Sequence, residues 1–113
     1  MSTRATYQFK NNYLGADTTV YIHHDGYPIG AAIYFKDAAE SGRKGVEGFI
    51  AANEGAHITE SHEIHGDTEF RYTVEINQLT ATHRVNFSDD WEEIFKGTID
   101  EFIDKFHTQP QRV

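Results

Sequence analysis

Two stretches of the chain alternate strictly between apolar and polar side chains, and that alternation limits the fold more than any other feature. Residues 3–10 put Ala5, Tyr7 and Phe9 on one side and Arg4, Thr6, Gln8 and Lys10 on the other. Residues 69–77 put Phe70, Tyr72, Val74 and Ile76 opposite Glu69, Arg71, Thr73 and Glu75. Successive side chains of a strand point to opposite faces, so each stretch predicts a strand with one apolar face. Such a strand needs a second layer to cover it. Helices supply that layer, and the class is α+β.

The remaining elements follow from periodicity and breakers. Val20 and Ile22 predict a second strand over 18–24, with Tyr21 and His23 outward. Asp25–Gly26–Tyr27–Pro28 ends it, and Pro28 suits the first position of a helix. That helix runs from Ile29 to about Ser41, with Ile29, Ala32, Ile33 and Ala39 inward, and stops at Gly42. Val46, Phe49 and Ile50 mark a short second helix ended by Gly55, and His57 to Glu63 reads as a short strand or a loop. A turn over Asn77–Thr80 leads into a partner strand, 81–87, with His83, Val85 and Phe87 inward. Trp91, Ile94, Phe95, Ile99, Phe102, Ile103 and Phe106 fall at helical spacing and predict one long amphipathic helix, with Asp89 and Glu92 as its capping box.

The expected order is therefore ββ-αα-(β)ββ-α: an antiparallel sheet of four to five strands with helices packed on one face. At 113 residues this is a single domain, 1–113, with a short polar tail from about residue 108. The stretch Met1–Lys10 has no signal-type apolar segment, and the longest nearly apolar run, Ile29–Phe35, is short of the ~20 residues that cross a bilayer. The expected setting is cytoplasmic, without membrane contact.

Helices on one face leave the other face of the sheet for water or a partner. Arg4, Tyr21, His23, Arg71 and Arg84 fall on that open face, and Tyr27 lies in the turn that flanks it. These six are the expected binding residues for a protein partner, and the same face would serve a dimer. The formal net charge of −8 argues against a nucleic-acid partner held by electrostatics. That charge is unevenly spread. Residues 89–105 hold seven acids and two bases, residues 54–69 hold five acids and no base, and the rest of the chain sums to +2. On a helical wheel Asp89, Glu93, Asp100 and Asp104 form one acidic stripe opposite Trp91, Phe95 and Phe102. A row of carboxylates of that kind stands in for nucleic-acid phosphates in a basic groove on another protein.

Catalytic motifs are scarce. The chain has no cysteine, which removes disulfides, thiolate zinc sites and cysteine nucleophiles. None of its serines sits in a nucleophile elbow, and no phosphate-binding glycine loop is present. Seven histidines in this length raise the question of metal. His62–Glu63–Ile64–His65 falls one residue short of the zincin spacing, which needs two histidines at i and i+4 on a helix. A site assembled from two loops, His23 and Asp25 with His65 and Asp67, is the remaining arrangement, and it would take a divalent metal.

Three blocks carry a family resemblance: Met1–Ser2–Thr3–Arg4–Ala5, then Tyr21–Ile22–His23–His24–Asp25–Gly26–Tyr27–Pro28, then Ile64–His65–Gly66–Asp67 followed by Glu69–Phe70. The chain resembles a family of short, functionally uncharacterised proteins of bacteria, phages and plasmids with the pattern MSTRA, Y-x-H-x-D-G-Y-P and I-H-G-D-x-E-[YF]. The resemblance implies a defining set, Arg4, Tyr21, His23, Asp25, Tyr27, His65 and Asp67, and a mobile-element setting. Two functions are expected from these features. The first is a small acidic, non-enzymatic binding or inhibitor protein, without cofactor, that contacts a host nucleic-acid-handling factor, as an anti-CRISPR protein would. The alternative is a small metal-dependent hydrolase, on phosphodiesters for example, with His23, Asp25, His65 and Asp67 as ligands.

Overall fold

The computed structural model describes residues 3–10, 17–40, 45–53, 55–59, 62, 68–85 and 90–107. In chain order they form β1 (Ala5–Lys10), β2 (Thr18–Ile22), α1 (Pro28–Glu40), α2 (Gly45–Ala52), β3 (His57–Thr59), β4 (Phe70–Glu75), β5 (Gln78–Arg84), β6 (Trp91–Thr98) and α3 (Ile99–His107). The strands join one sheet in the order β3-β2-β1-β4-β5-β6. All neighbours are antiparallel except the central pair, β1 and β4, which run parallel.

The class is α+β, but the sheet has six strands and is mixed, where four to five antiparallel ones were expected. Alternation records which way side chains point, not which way a strand runs, so the parallel pair was invisible to it. The chain leaves β1 through β2, passes over α1 and α2, forms β3 at the far edge and only then returns beside β1. A parallel pair needs such a crossover.

Tyr7 and Tyr72, direct partners across that pair, stack with ring centroids 4.9 Å apart. Helix α1 brings Phe35 against Tyr7, α2 brings Phe49, and α3 brings Phe102 against both Tyr72 and Phe35. Ala5, Phe9, Val20, Ile22, Val74, Leu79 and Ala81 complete this buried face. In α1 the buried residues are Gly30, Ala31, Ala32, Phe35 and Ala38, so Ala32 is inward as expected, while Ile33 and Ala39 face outward and Phe35 and Ala38 take their places.

The largest departure is the segment expected as one long helix. Residues 91–98 form the edge strand β6, and only 99–107 are helical. A bulge causes the confusion. Ala81 pairs with Phe95 and Thr82 with Glu93, so Ile94 is the extra residue, and Ile94 and Phe95 both pack on the core. Two successive inward residues after Trp91 reproduce the i, i+3, i+4 spacing of a helix. The capping box is at Thr98, not Asp89. The Glu101 amide donates to Thr98 Oγ1 at 3.0 Å, and Glu101 Oε1 accepts from the Thr98 amide at 2.8 Å.

The turn between β4 and β5 comes earlier than expected. Ile76 is not inward but 91% exposed in a tight turn, with φ at +59°, a region that β-branched residues rarely adopt. Phe87 lies outside the described residues. The Asp25 turn is also tightly built. Asp25 has φ +57°, Gly26 sits where a Cβ would come within 2.6 Å of the Ala5 Cβ, and Gly30 where one would come within 2.1 Å of the Asp25 carbonyl oxygen. The Gly26 amide donates to the Thr3 carbonyl, and the Tyr72 hydroxyl donates to the Gly26 carbonyl at 2.6 Å.

Candidate functional site

Strand register assembles the site on the face away from the helices. One row runs His57, Tyr21, Thr6, Arg71, Thr82, Glu93 across all six strands. The adjacent row holds Arg4, Glu69, Arg84 and Trp91. The Glu69 amide donates to the Arg4 carbonyl, the Arg84 amide to the Glu69 carbonyl, and Arg84 pairs with Trp91. Arg71 on β4 and Arg84 on β5 thus sit next to the chain's single tryptophan, and Arg4, just before β1, lies at the same end of the face but three strands from it.

Each side chain is held. The Arg71 guanidinium lies 3.9 Å from the centre of the Trp91 ring and that of Arg84 lies 5.3 Å from it. Cation–π contacts of this kind fix a planar guanidinium without removing its charge. Arg4 Nε donates to His23 Nδ1 at 3.3 Å, its Nη2 lies 3.2 Å from His23 Nε2, and the Tyr21 hydroxyl is 3.3 Å from Nδ1. Arg4, Arg71 and Arg84 have further partners besides these, and all are half-buried.

The middle of the face is not bare, as the notion of an open sheet would have it. His62 crosses it, with Nδ1 2.6 Å from Thr6 Oγ1 and Nε2 3.1 Å from Thr73 Oγ1. A neutral imidazole donates from one nitrogen and accepts at the other, and the two hydroxyls rotate to match. Thr6, under the imidazole, is buried, as is Thr19 on β2, whereas the arginines and Trp91 at the other end of the face stay half-buried.

Of the expected binding residues, Arg4, Tyr21, His23, Arg71 and Arg84 come together. Tyr27 does not join them. It sits in the turn before α1, exposed, its hydroxyl donating to Asp25 Oδ1 at 3.2 Å. Partial burial first, and then the Asp25 carboxylate, raises the Tyr27 phenol above its ordinary pKa. Trp91 was assigned to a helix core and thereby missed. Its opposite parity to Phe95, once the bulge is allowed for, is the sequence signal that places it on this face. His62 was also missed, being read only as part of a failed zinc motif.

The expected acidic stripe does not form. Glu93 is on β6, on the sheet face beside Trp91, while Asp100 and Asp104 are exposed on α3. Asp89 lies outside the described residues. Within the expected metal set, His65 and Asp67 also lie outside them. Among the described residues no three His, Asp or Glu side chains gather at metal-ligating range. The Arg4 guanidinium against both ring nitrogens of His23 disfavours a divalent cation there, because it occupies the lone pair and repels the charge. Among the described residues no helix is long and apolar enough to cross a membrane. No family model, no curated protein and no solved structure matches the chain.

Proposed function

We propose that this protein is a non-enzymatic binding protein that engages a protein partner through the arginine–tryptophan end of its sheet. The supporting observation is the placement of Arg71 and Arg84 against Trp91, at 3.9 and 5.3 Å, with Arg4 bound to His23 at the same end of the face. Tryptophan, tyrosine and arginine are the residue types that carry most binding energy at protein interfaces, because they combine large apolar area with a polar or charged end. A rigid sheet holds them in place, so little ordering cost falls on association.

Arginine next to aromatic rings on a sheet is also a way of binding single-stranded nucleic acid. Here Glu69 lies between Arg4 and Arg84, and Glu93 shares the row of Arg71. Carboxylates interleaved with the cations repel a phosphate backbone and suit a mixed protein surface. The finer reading, an inhibitor of mobile-element type acting on a host nucleic-acid-handling factor in an anti-CRISPR-like manner, rests on the resemblance of the three sequence blocks.

The test is capture from bacterial lysate on immobilised protein, comparing wild type with Trp91→Ala and with Arg71→Ala, read by quantitative mass spectrometry. A partner retained by wild type and reduced about tenfold or more by each variant is expected. Equal recovery on all three would overturn the assignment of this surface.

A further inference from the structure

A second concave site lies around the corner from the arginine end, where the β2–β3 edge meets the two helices α1 and α2. It is a cleft of about 680 Å³, within the range of small-molecule sites. His23, with the Arg4 guanidinium on its ring, His24 and Asp25 enter it from the end of β2, Tyr34 and Asp37 from α1, Asn53 from the end of α2, and His57 from β3. Among the described residues its lining holds two carboxylates and no lysine or arginine.

Against the one guanidinium that Arg4 brings to His23, three features of the cleft are negative. Asp25 and Asp37 contribute full charges. Helix α2 ends at Ala52, a lining residue, so its C-terminal carbonyl end, the negative pole of the helix, is directed here. Burial first, and then the Asp25 carboxylate, raise the pKa of the Tyr34 phenol. Its hydroxyl is fixed by donation to the His24 carbonyl at 2.8 Å, and the Asn53 side-chain amide donates to the Phe49 and Tyr34 carbonyls. These bonds make the wall rigid before any ligand arrives. Asp25 is locked too, held at φ +57° by a turn packed against Ala5.

We propose that this cleft binds an organic cation, an alkyl ammonium or guanidinium group, between Asp25 and Asp37 and beside the Tyr34 ring. Carboxylates accept charge-assisted hydrogen bonds from such a group, and an aromatic ring adds cation–π attraction. A metal ion would need several donors converging on one point, which the described residues do not offer. An alkyl ammonium needs only one or two acceptors, and its chain can lie along Ile22 and Ala52. Free amines and the lysine or arginine side chains of a protein both supply this chemistry.

Titration of the uniformly ¹⁵N-labelled full chain with putrescine, N-acetyl-lysinamide and butanediol tests the proposal by amide chemical shift. Both amines should produce saturable shifts at Asp25, Asp37, Asn53 and His57, and the neutral diol should not. Tighter binding of putrescine would identify a free amine, and tighter binding of N-acetyl-lysinamide a protein side chain. Asp37→Asn and Asp25→Asn should each weaken amine binding about tenfold, the size of one charge-assisted hydrogen bond. Asparagine tolerates positive φ as aspartate does, so both variants should keep the wild-type spectrum elsewhere. The proposal is overturned if neither amine binds, if the diol shifts the same residues equally, or if both variants bind amines as well as wild type does. The last result would show diffuse attraction to a negative surface.

Discussion

On the helix-covered face, Tyr7 and Tyr72 stack at 4.9 Å and are enclosed by Phe35, Phe49 and Phe102. On the other face the same two strands carry Thr6, bonded to His62, and Arg71, stacked on Trp91. The first face is held by area, which is tolerant of direction and dominates stability. The second is held by a few directional contacts around partly buried cations, each of which contributes modestly to stability. One sheet thus divides its labour. Stability comes mainly from the ring-packed side, and the proposed function assigns recognition to the opposite side.

The comparison breaks or sharpens with single substitutions. Phe102→Ala, in the most enclosed part of the ring cluster, should cost about 3–5 kcal/mol in chemical denaturation. His62→Ala leaves the buried Thr6 hydroxyl without its imidazole partner and should cost about 1–3 kcal/mol. A loss as large as that of Phe102→Ala would mean that the polar face carries stability as well.

Two tyrosines that share a register position give the sharpest contrast. The Tyr72 hydroxyl donates to the Gly26 carbonyl, whereas among the described residues the buried Tyr7 hydroxyl has no hydrogen-bond partner. Tyr72→Phe should therefore lower stability by about 1–2 kcal/mol, and Tyr7→Phe should leave it unchanged or raise it by up to about 1 kcal/mol. Burial holds both phenols well above the ordinary value of 10.0, with the neighbouring Tyr72, Tyr34 and Asp25 adding to the rise at Tyr7. With a folded pKa above the unfolded one, the unfolded chain loses these protons first. Stability is then full below pH 10 and falls as pH climbs from 10 through the folded values. Melting temperatures between pH 8 and 11 should show that fall, with a shallower slope in either Phe variant. On the face proposed for recognition, Trp91→Ala should cost only about 1 kcal/mol of stability through its lost cation–π contacts.

How far the sequence could be read follows the same division. Alternation placed Arg4, Tyr21, Arg71 and Arg84 on one face, because the sign of a face is local information, and Pro28 marked the start of α1. Three things were not local. The parallel pairing of β1 with β4 joins residues more than sixty positions apart. The bulge at Ile94 imitated helical spacing, although Thr98 followed by Glu101 was the true helix start in plain view. His62 was illegible because its partners, Thr6 and Thr73, lie on strands that meet only in the folded sheet.

The chain's only tryptophan sits at the centre of the proposed surface, and its indole N–H gives a single resonance that reports on that surface alone. The most direct test is to label this protein with ¹⁵N and add the captured partner unlabelled. The indole resonance should shift or broaden in proportion to the partner added, together with amides of Arg71 and Arg84. An indole signal that stays in place while amides around Asp100 and Asp104 on α3 respond would contradict the account and move the binding surface to the helix layer.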